Sequence, residues 1–326
     1  MSSKGPTVAL LDEFGDEQTK AFLDALPFES SVLGPSDSPG VTDADILVTW
    51  STDIDRATVD AFPNLKLVIK LDSGPGSIPI EDLAARGIAF QTASSPALVS
   101  VAEHTVMLIL AVFKRFGPAL NRTRAREWAA DITPILTNQE DYSYNWVGLE
   151  RFEAIAGKKV GLVGLGRIGL EVARFLNAFD CTVIYTKRNR FSEEDESALG
   201  IKYLPFEDLL AESDCVSLHN RFDESTEKMM GAEQFDAMRA GSFFVNTARG
   251  RLVDEAALTA ALESGQLAGA AIDVAWYEPP LEDSGLWTAP NLIITPHSAG
   301  IPIGISLVEE LTKAGGLITQ EWAKSR

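Results

Sequence analysis

Short, uninterrupted apolar runs separated by helically spaced segments recur along most of this chain. In the first hundred residues the runs at 8–11, 45–49, 65–69 and 87–90 read as strands. Each is rich in Val, Ile and Leu and lacks the alternation of a sheet with one wet face. Between them, 18–26, 56–62 and 80–86 carry apolar residues at helical spacing. A second unit begins near residue 158, with runs at 159–163, 182–186, 215–218, 243–246, 270–274 and 292–295. Strands buried on both faces and joined through helices form parallel sheets covered on each side. The pattern predicts an α/β fold with two doubly wound parallel-sheet domains.

Three other stretches complete the picture. After Ser94-Ser95-Pro96 the apolar residues of 101–110 nearly encircle a helix axis, which predicts a buried helix joining the two domains. The segment 118–156 is less regular, mixing Arg122-Thr123-Arg124-Ala125-Arg126 with Tyr142, Tyr144 and Trp146. Such a basic run usually marks a solvated helix face, whereas the aromatics want a surface to cover. The amphipathic helix predicted over 307–322 is expected to fold back on the first domain. The expected boundaries are therefore 1–100 with 300–326 for one domain and 101–299 for the other, including an arm at about 101–150.

At 326 residues the chain can build two ordinary cores. Its 28 Lys and Arg stand against 47 Asp and Glu, a formal net charge of -19. A field of that sign disfavours nucleic acid and anionic membrane, and an anionic substrate would need a locally basic site. Cys181 and Cys215 lie on or beside apparent strands, as expected of buried free thiols in a reducing compartment. No apolar run approaches the roughly 20 residues that span a bilayer, and the first residues lack a signal-like apolar core. A cytoplasmic protein without a metal centre is expected.

The strand at 159–163 runs into Gly164-Leu165-Gly166-Arg167-Ile168-Gly169, and Ile168, Val172, Phe175 and Leu176 then share one helical stripe. Strand, glycine turn and helix in that order point to a dinucleotide site, the plainer reading being a structural turn. The first glycine permits the turn, the second lets a pyrophosphate reach the backbone, and the third allows close packing. The phosphates meet unpaired N–H groups at the positive end of the helix dipole. About 20 residues further on, an acid would bind the ribose 2′-hydroxyl of NAD. The chain instead reads Thr186-Lys187-Arg188-Asn189-Arg190. A 2′-phosphate carries close to two negative charges, so Lys187, Arg188 and Arg190 point to NADP as the preferred cofactor, with NAD possible. The plainer reading is a solvated loop, consistent with Glu193, Glu194 and Asp195 just beyond.

From the glycine loop onward the chain resembles the D-isomer-specific 2-hydroxyacid dehydrogenase family. The resemblance rests on that loop, on Val245-Asn246-Thr247-Ala248-Arg249-Gly250, and on Val253-Asp254-Glu255-Ala256-Ala257-Leu258. It continues through Ala268-Gly269-Ala270-Ala271-Ile272-Asp273-Val274, Glu278-Pro279-Pro280 and Thr295-Pro296-His297-Ser298-Ala299-Gly300. Ser100-Val101-Ala102-Glu103-His104 fits as well, while the first 95 residues match mainly in pattern. The resemblance implies a flavodoxin-like substrate domain, a Rossmann dinucleotide-binding domain, a homodimer, and reduction of a small 2-oxo acid of the glyoxylate or hydroxypyruvate kind.

It also implies roles. Arg249 corresponds to the arginine that binds the substrate carboxylate and polarises the 2-oxo group, a planar match that lysine does not reproduce. His297 corresponds to the acid that protonates the developing alkoxide. Glu278 corresponds to the carboxylate paired with it, expected to raise its pKa and fix its tautomer. Asp273 is expected to orient the nicotinamide carboxamide, and the carbonyls of Thr247 and Ala248 to border the ring. Thr186, Asn220, Arg221, Thr226 and Gly300 complete the expected cofactor site. Without the family, Arg249 reads as a salt-bridged strand-end residue, Glu278 as a loop charge and His297 as a satisfied core histidine.

Some positions depart from the family pattern. The substrate loop appears as Leu71-Asp72-Ser73-Gly74-Pro75-Gly76-Ser77-Ile78, where the amides of Ser73 and Gly74 are candidates for a second carboxylate clamp. Asp72 is unexpected beside an anion, and Ile78 stands where an aspartate is common. A phosphite-oxidising relative would want a cation in this loop, which has none. Arg221 replaces a usual proline and is expected to lean toward the adenosine end. The stretch between Trp128 and Gly157 is longer than usual, so Tyr144 or Trp146 is a candidate cover for an active site. The rival readings are an NAD-linked dehydrogenase of a larger 2-hydroxyacid and a dinucleotide-sensing, corepressor-like module without turnover.

Overall fold

The computed structural model describes residues 5–26, 31–33, 43–50, 52, 54–71, 78–93, 96–130, 132–300 and 303–324. They divide into two compact units, Met1–Val99 with Ile301–Arg326, and Ser100–Gly300. Each is a parallel sheet flanked by helices, so the chain has two α/β domains, and the second is a Rossmann domain.

In the first unit the elements are β1 (Thr7–Leu10), α1 (Asp16–Asp24), β2 (Ser31–Leu33), β3 (Ile46–Thr49), α2 (Arg56–Asp60), β4 (Leu67–Leu71), α3 (Ile80–Ala85) and β5 (Ala89–Ala93). Its five described strands run in the order β2-β1-β3-β4-β5, all parallel, which is the flavodoxin-like order. Strands β3 and β4 are buried along their whole length, as continuous apolar runs require. The three-residue β2 was not foreseen, because three positions are too few to show a period. Buried Leu307, Leu311, Ala314 and Ile318 of the last helix join Phe22 and Ile69 in this unit's core, at the spacing of one helix face.

The second unit contains most of α4 (Pro96–Phe113), then α5 (Phe116–Ala125), β6 (Lys159–Val163), α6 (Arg167–Ala178), β7 (Thr182–Thr186), α7 (Glu193–Leu199), β8 (Ile201–Tyr203) and α8 (Phe206–Glu212). These are followed by β9 (Cys215–Leu218), α9 (Ala232–Ala237), β10 (Ser242–Asn246), α10 (Glu255–Glu263), β11 (Leu267–Ile272) and β12 (Leu292–Ile294); α11 (Ile303–Lys324) belongs to the first unit. The sheet order is β12-β11-β10-β9-β6-β7-β8. Counting from β6, this is the 3-2-1-4-5-6 arrangement of dinucleotide-binding folds with one further edge strand. The sequence pattern predicts six strands; Ile201-Lys202-Tyr203 is the seventh, again too short to announce itself.

Neighbouring residues of one strand serve opposite faces of this sheet. Val183, Tyr185, Phe243 and Val245 pack with α4 and α6, whereas Ile184 and Phe244 pack with α8, α9 and α10. That is why the strands read as unbroken apolar runs. Helix α4 departs from its prediction: Ala102, Ile109 and Phe113 are buried, but Met107 is 47% exposed on an outward stripe with Glu103. Both cysteines are buried and free, and desolvation raises the Cys181 thiol to about 11. Among the described residues no single helix is long and apolar enough to cross a membrane, and no three potential metal ligands cluster.

Candidate active site

Nearly all the candidate residues of the second unit follow C-terminal ends of strands in one parallel sheet. The pairing registers Val163 with Thr186 and Leu218, Leu218 with Asn246, Asn246 with Ile272, and Ile272 with Ile294. The segments leaving these residues therefore line a single edge of the sheet. Strand order reverses between β6 and β9, and in open α/β sheets ligands bind outside the strand ends at such a reversal.

The glycine loop leaves β6 there, and its glycines answer different demands. Gly164 has φ +86°, and a Cβ on it would lie 2.5 Å from the Asn220 amide nitrogen. A Cβ on Gly169 would press within 3.0 Å of Leu165 Cδ1 and 3.1 Å of the Gly164 carbonyl oxygen. Around Gly166 no atom stands within 4 Å, so packing inside the chain does not call for glycine and the space beside it is open. Gly166 is also the N-cap of α6 and offers no side chain to its first amides. Arg167 and Ile168 form the first turn above it. This cradle fits a pyrophosphate.

Beyond β7 the three cations are not equivalent. Arg190 donates from Nε to Glu196 Oε1 at 2.7 Å and from Nη2 to Oε2 at 2.9 Å, while the Tyr185 hydroxyl donates to Oε1 at 2.8 Å. The guanidinium holds the Glu196 carboxyl at about 2, below its ordinary range. The Lys187 ammonium lies 4.0 Å over the Phe191 ring, and desolvation lowers its pKa. Arg188 is exposed and has no ion-pair partner among the described residues. Two of the three cations are thus engaged within the chain. Thr186 accepts the Gly164 N–H at 2.9 Å through its carbonyl, tying this strand end to the glycine loop.

After β9 comes His219, whose Nε2 is 3.0 Å from Ser217 Oγ; desolvation pushes its pKa down to about 4. Asn220 presses its backbone against Gly164, and its buried Oδ1 has no hydrogen-bond partner. Arg221 is exposed, and its carbonyl accepts from the Thr226 hydroxyl at 3.3 Å.

At the end of β10, Asn246 shapes the turn that presents Arg249. Its Nδ2 donates to the Arg249 carbonyl at 2.9 Å, and its Oδ1 accepts from the Ala248 amide at 3.0 Å. Arg249 is exposed, and its Nη1 donates to the Ala248 carbonyl at 2.6 Å. Thr247 is 8% exposed and shares a 2.8 Å hydrogen bond with Thr105 of α4. A Cβ on Gly250 would sit 2.1 Å from the Ala275 carbonyl carbon and oxygen, so only glycine lets the loop after β11 close on this turn. That loop carries Glu278. It is pinned by Trp276, whose amide donates to Glu255 at 2.8 Å and whose indole donates to the Val253 carbonyl at 2.6 Å.

Glu278 and His297 meet. Glu278 Oε2 lies 2.6 Å from His297 Nδ1, and Oε1 accepts the Ala275 amide at 3.2 Å. Both side chains are open to solvent, at 41% and 49%, so a proton on the imidazole can be replenished from water. Asp273, 1% exposed, accepts the amides of Ser298 and Ala299 at 3.0 and 2.9 Å and the Thr295 hydroxyl at 2.5 Å. The family resemblance implies that Asp273 orients the nicotinamide; its carboxylate also supports the turn around His297. Gly300 ends this turn.

Ser73, Gly74 and Asp72 lie outside the described residues. Ile78 is buried in the core of the first unit, which accounts for its apolar character. Two buried polar residues of that unit were not singled out. Lys70 of β4 donates to the Trp50 carbonyl, and Asp12 accepts from the amides of Trp50 and Thr52 at 2.5 and 2.8 Å. In the second unit the sequence reading matched Ser100 and His104 to the family pattern without giving them a role, and did not single out Thr105. The available signal was four polar residues, Ser100, Glu103, His104 and Thr105, at the start of an otherwise apolar run.

Comparison with known proteins bears on the same residues. The profile of the D-isomer specific 2-hydroxyacid dehydrogenase, NAD binding domain, matches residues 106–299. A putative 2-hydroxyacid dehydrogenase of Haemophilus influenzae is 33% identical over 263 residues, covering 79% of this chain and 78% of that one. A glyoxylate reductase of Korarchaeum cryptofilum is 34% identical over 260 residues, covering 79% and 74%. Among solved structures, a protein from Pyrococcus horikoshii matches with TM-score 0.68 and 28% identity, over 96% of this chain and 91% of that one.

Proposed function

Because the chain belongs to the D-isomer-specific 2-hydroxyacid dehydrogenase family and is an NAD(P)-dependent oxidoreductase, we propose that it reduces a small 2-oxo acid of the glyoxylate or hydroxypyruvate type with NADPH. The observation that carries this reading is the 2.6 Å pair of His297 and Glu278, set on the sheet edge that also bears the glycine loop and Arg249. The relative named glyoxylate reductase supports the substrate class.

When bound, the nicotinamide supplies a hydride to C2 of the substrate. The amides at the start of α6 hold the pyrophosphate; Gly166 gives it room, while Gly164 and Gly169 let the turn and the helix pack beneath it. The exposed Arg249 guanidinium exchanges its bond to the Ala248 carbonyl for the substrate carboxylate and polarises the 2-oxo group. His297 delivers the proton from Nε2 to the carbonyl oxygen as C2 becomes tetrahedral, and Glu278 steadies the imidazole through Nδ1–H. Desolvation disqualifies His219 as an alternative acid, since a group held near 4 is neutral at working pH. NADP preference rests on Arg188, with Arg221 as a second exposed cation.

The outward stripe of α4 is where a second copy docks in this reading. Met107, Phe116 and Phe179 are 47%, 57% and 41% exposed and border an apolar hollow of about 660 Å³. One specific observation favours NAD instead: Arg190 and Lys187 are engaged by Glu196 and Phe191. The test is a panel of glyoxylate, hydroxypyruvate and bulkier 2-oxo acids, each with NADPH and NADH. Highest kcat/KM for a two- or three-carbon acid with NADPH is expected. Preference for NADH or a bulky acid would overturn the specific assignment, and binding without turnover would overturn the catalytic one.

A further inference from the structure

His297 holds a backbone conformation that side chains with a Cβ avoid, φ +53°. Such a residue persists where its surroundings over-determine it. Here they do so on both sides. Thr295 before it, and Ser298 and Ala299 after it, all donate to the carboxylate of Asp273. The carboxylate is itself addressed from α4: His104 Nε2 lies 3.1 Å from Thr295 Oγ1 and 3.5 Å from Asp273 Oδ1. A threonine hydroxyl has one proton, and that of Thr295 goes to Asp273. The contact from His104 is therefore a donation, which assigns its proton to Nε2. One helical turn earlier on α4, the Ser100 hydroxyl donates to the Ala299 carbonyl at 2.8 Å.

We propose that His104 is a positioning residue: through Thr295 and Asp273 it locks the 295–299 turn and so aims the imidazole of His297. The proposal rests on the reading of His297 as the proton donor. It explains why a half-buried imidazole interrupts an apolar helix, where a leucine would fill the space and bury more apolar surface. It also gives the Asp273 carboxylate a load independent of any cofactor. Asp273 Oδ1 accepts from two donors and stands near a third, while Oδ2 accepts one amide.

The experiment uses the full chain and three variants: His104→Leu, His104→Gln and His297→Asn. The readouts are kcat and KM for glyoxylate with NADPH, and amide exchange of the 295–300 segment measured without cofactor. His104→Leu is expected to lower kcat ~10- to 100-fold, the scale of a small misplacement of a reacting group, with the NADPH KM within about twofold, since the glycine loop is untouched. Exchange of the segment should quicken. Glutamine offers an N–H donor on a side chain of similar reach, so His104→Gln should restore most of both. Equal behaviour of Leu and Gln would reduce His104 to space filling and overturn the proposal. So would faster exchange in His104→Leu with unchanged kcat. His297→Asn separates the two readings. If it keeps turnover, the proton-donor assignment itself fails, whereas the exchange data still report on the lock.

Discussion

The two halves of one sheet edge treat their charged residues in opposite ways. On the β7–β8 side, Arg190 is bound bidentately by Glu196 and Lys187 lies on Phe191, so charge that looked available is spent on the loop's own folding. On the β10–β12 side folding draws mainly on neutral and backbone groups, with the carboxylates of Asp273 and Glu255 as acceptors, and three charged residues are left outward. Asn246 forms the turn before Arg249, Gly250 admits the Ala275 backbone, and Trp276 anchors the loop bearing Glu278. Arg249, Glu278 and His297 stay exposed. A cation next to a phosphate-binding loop is thus weak evidence for a ligand until its neighbours are known. A charged residue whose turn is built by others is stronger evidence.

The sharpest way to break that comparison is Arg249→Lys. If the exposed guanidinium is held for a carboxylate, a point charge cannot reproduce the two parallel hydrogen bonds. Turnover should fall ~100- to 1,000-fold, on the scale of losing one donor to a developing oxyanion. NADPH binding, followed by its fluorescence, should hardly change. A variant that keeps kcat/KM within a few fold would place Arg249 among structural residues, like Arg190.

On the other half, Arg188→Ser and Arg190→Ser should part company. Removing a charge-assisted bond worth ~1.5 kcal/mol or more raises the NADPH KM about tenfold for Arg188→Ser and leaves the NADH KM alone. Arg190→Ser should instead alter acid tolerance. The Glu196 carboxyl sits near 2 when folded, against 4.5 ordinarily, so its pairing contributes fully above 4.5 and is lost as pH falls toward 2. The variant should therefore be less stable at neutral pH and lose less of its stability between 4.5 and 2, read from denaturant midpoints. If Arg190→Ser alone weakens NADPH, the phosphate lies on the wrong arginine in this account.

What could be read from residues alone follows the range of the interactions involved. The β-strands of both sheets were visible because burial on two faces writes itself into consecutive residues; β2 and β8 were missed because three residues carry no period. The glycine loop was legible for the same local reason. The pairing of Glu278 with His297 spans 19 positions, and only the family pattern suggested it. The capture of Arg190 by Glu196, six residues on, is a matter of rotamers that spacing leaves open. The task of His104 was hidden more deeply, since Thr295 lies 191 positions away and only the fold places it there. The outward stripe of α4 was hidden because a helix with a few apolar residues left exposed reads like a core helix.

His219 stands between the two halves, at the end of β9 where the strand order reverses, and belongs to the residues spent on folding. Its pKa is about 4 in the folded chain and 6.5 ordinarily, so between those values the unfolded chain takes up a proton that the folded one refuses. Stability from this residue is complete above 6.5 and declines as pH falls to 4. The ceiling is about 1.4 kcal/mol per unit of difference, and partial exposure brings the expected contribution to on the order of 1 kcal/mol. His219→Gln keeps a polar side chain beside Ser217 and cannot titrate. Its denaturation midpoint should therefore vary less than the parent's between pH 6.5 and 4, with glyoxylate turnover at neutral pH nearly unchanged. Equal slopes in parent and variant would show that His219 accepts a proton freely. It would then be a second candidate acid on this sheet edge, and the division between folding and chemistry would no longer fall between β9 and β10.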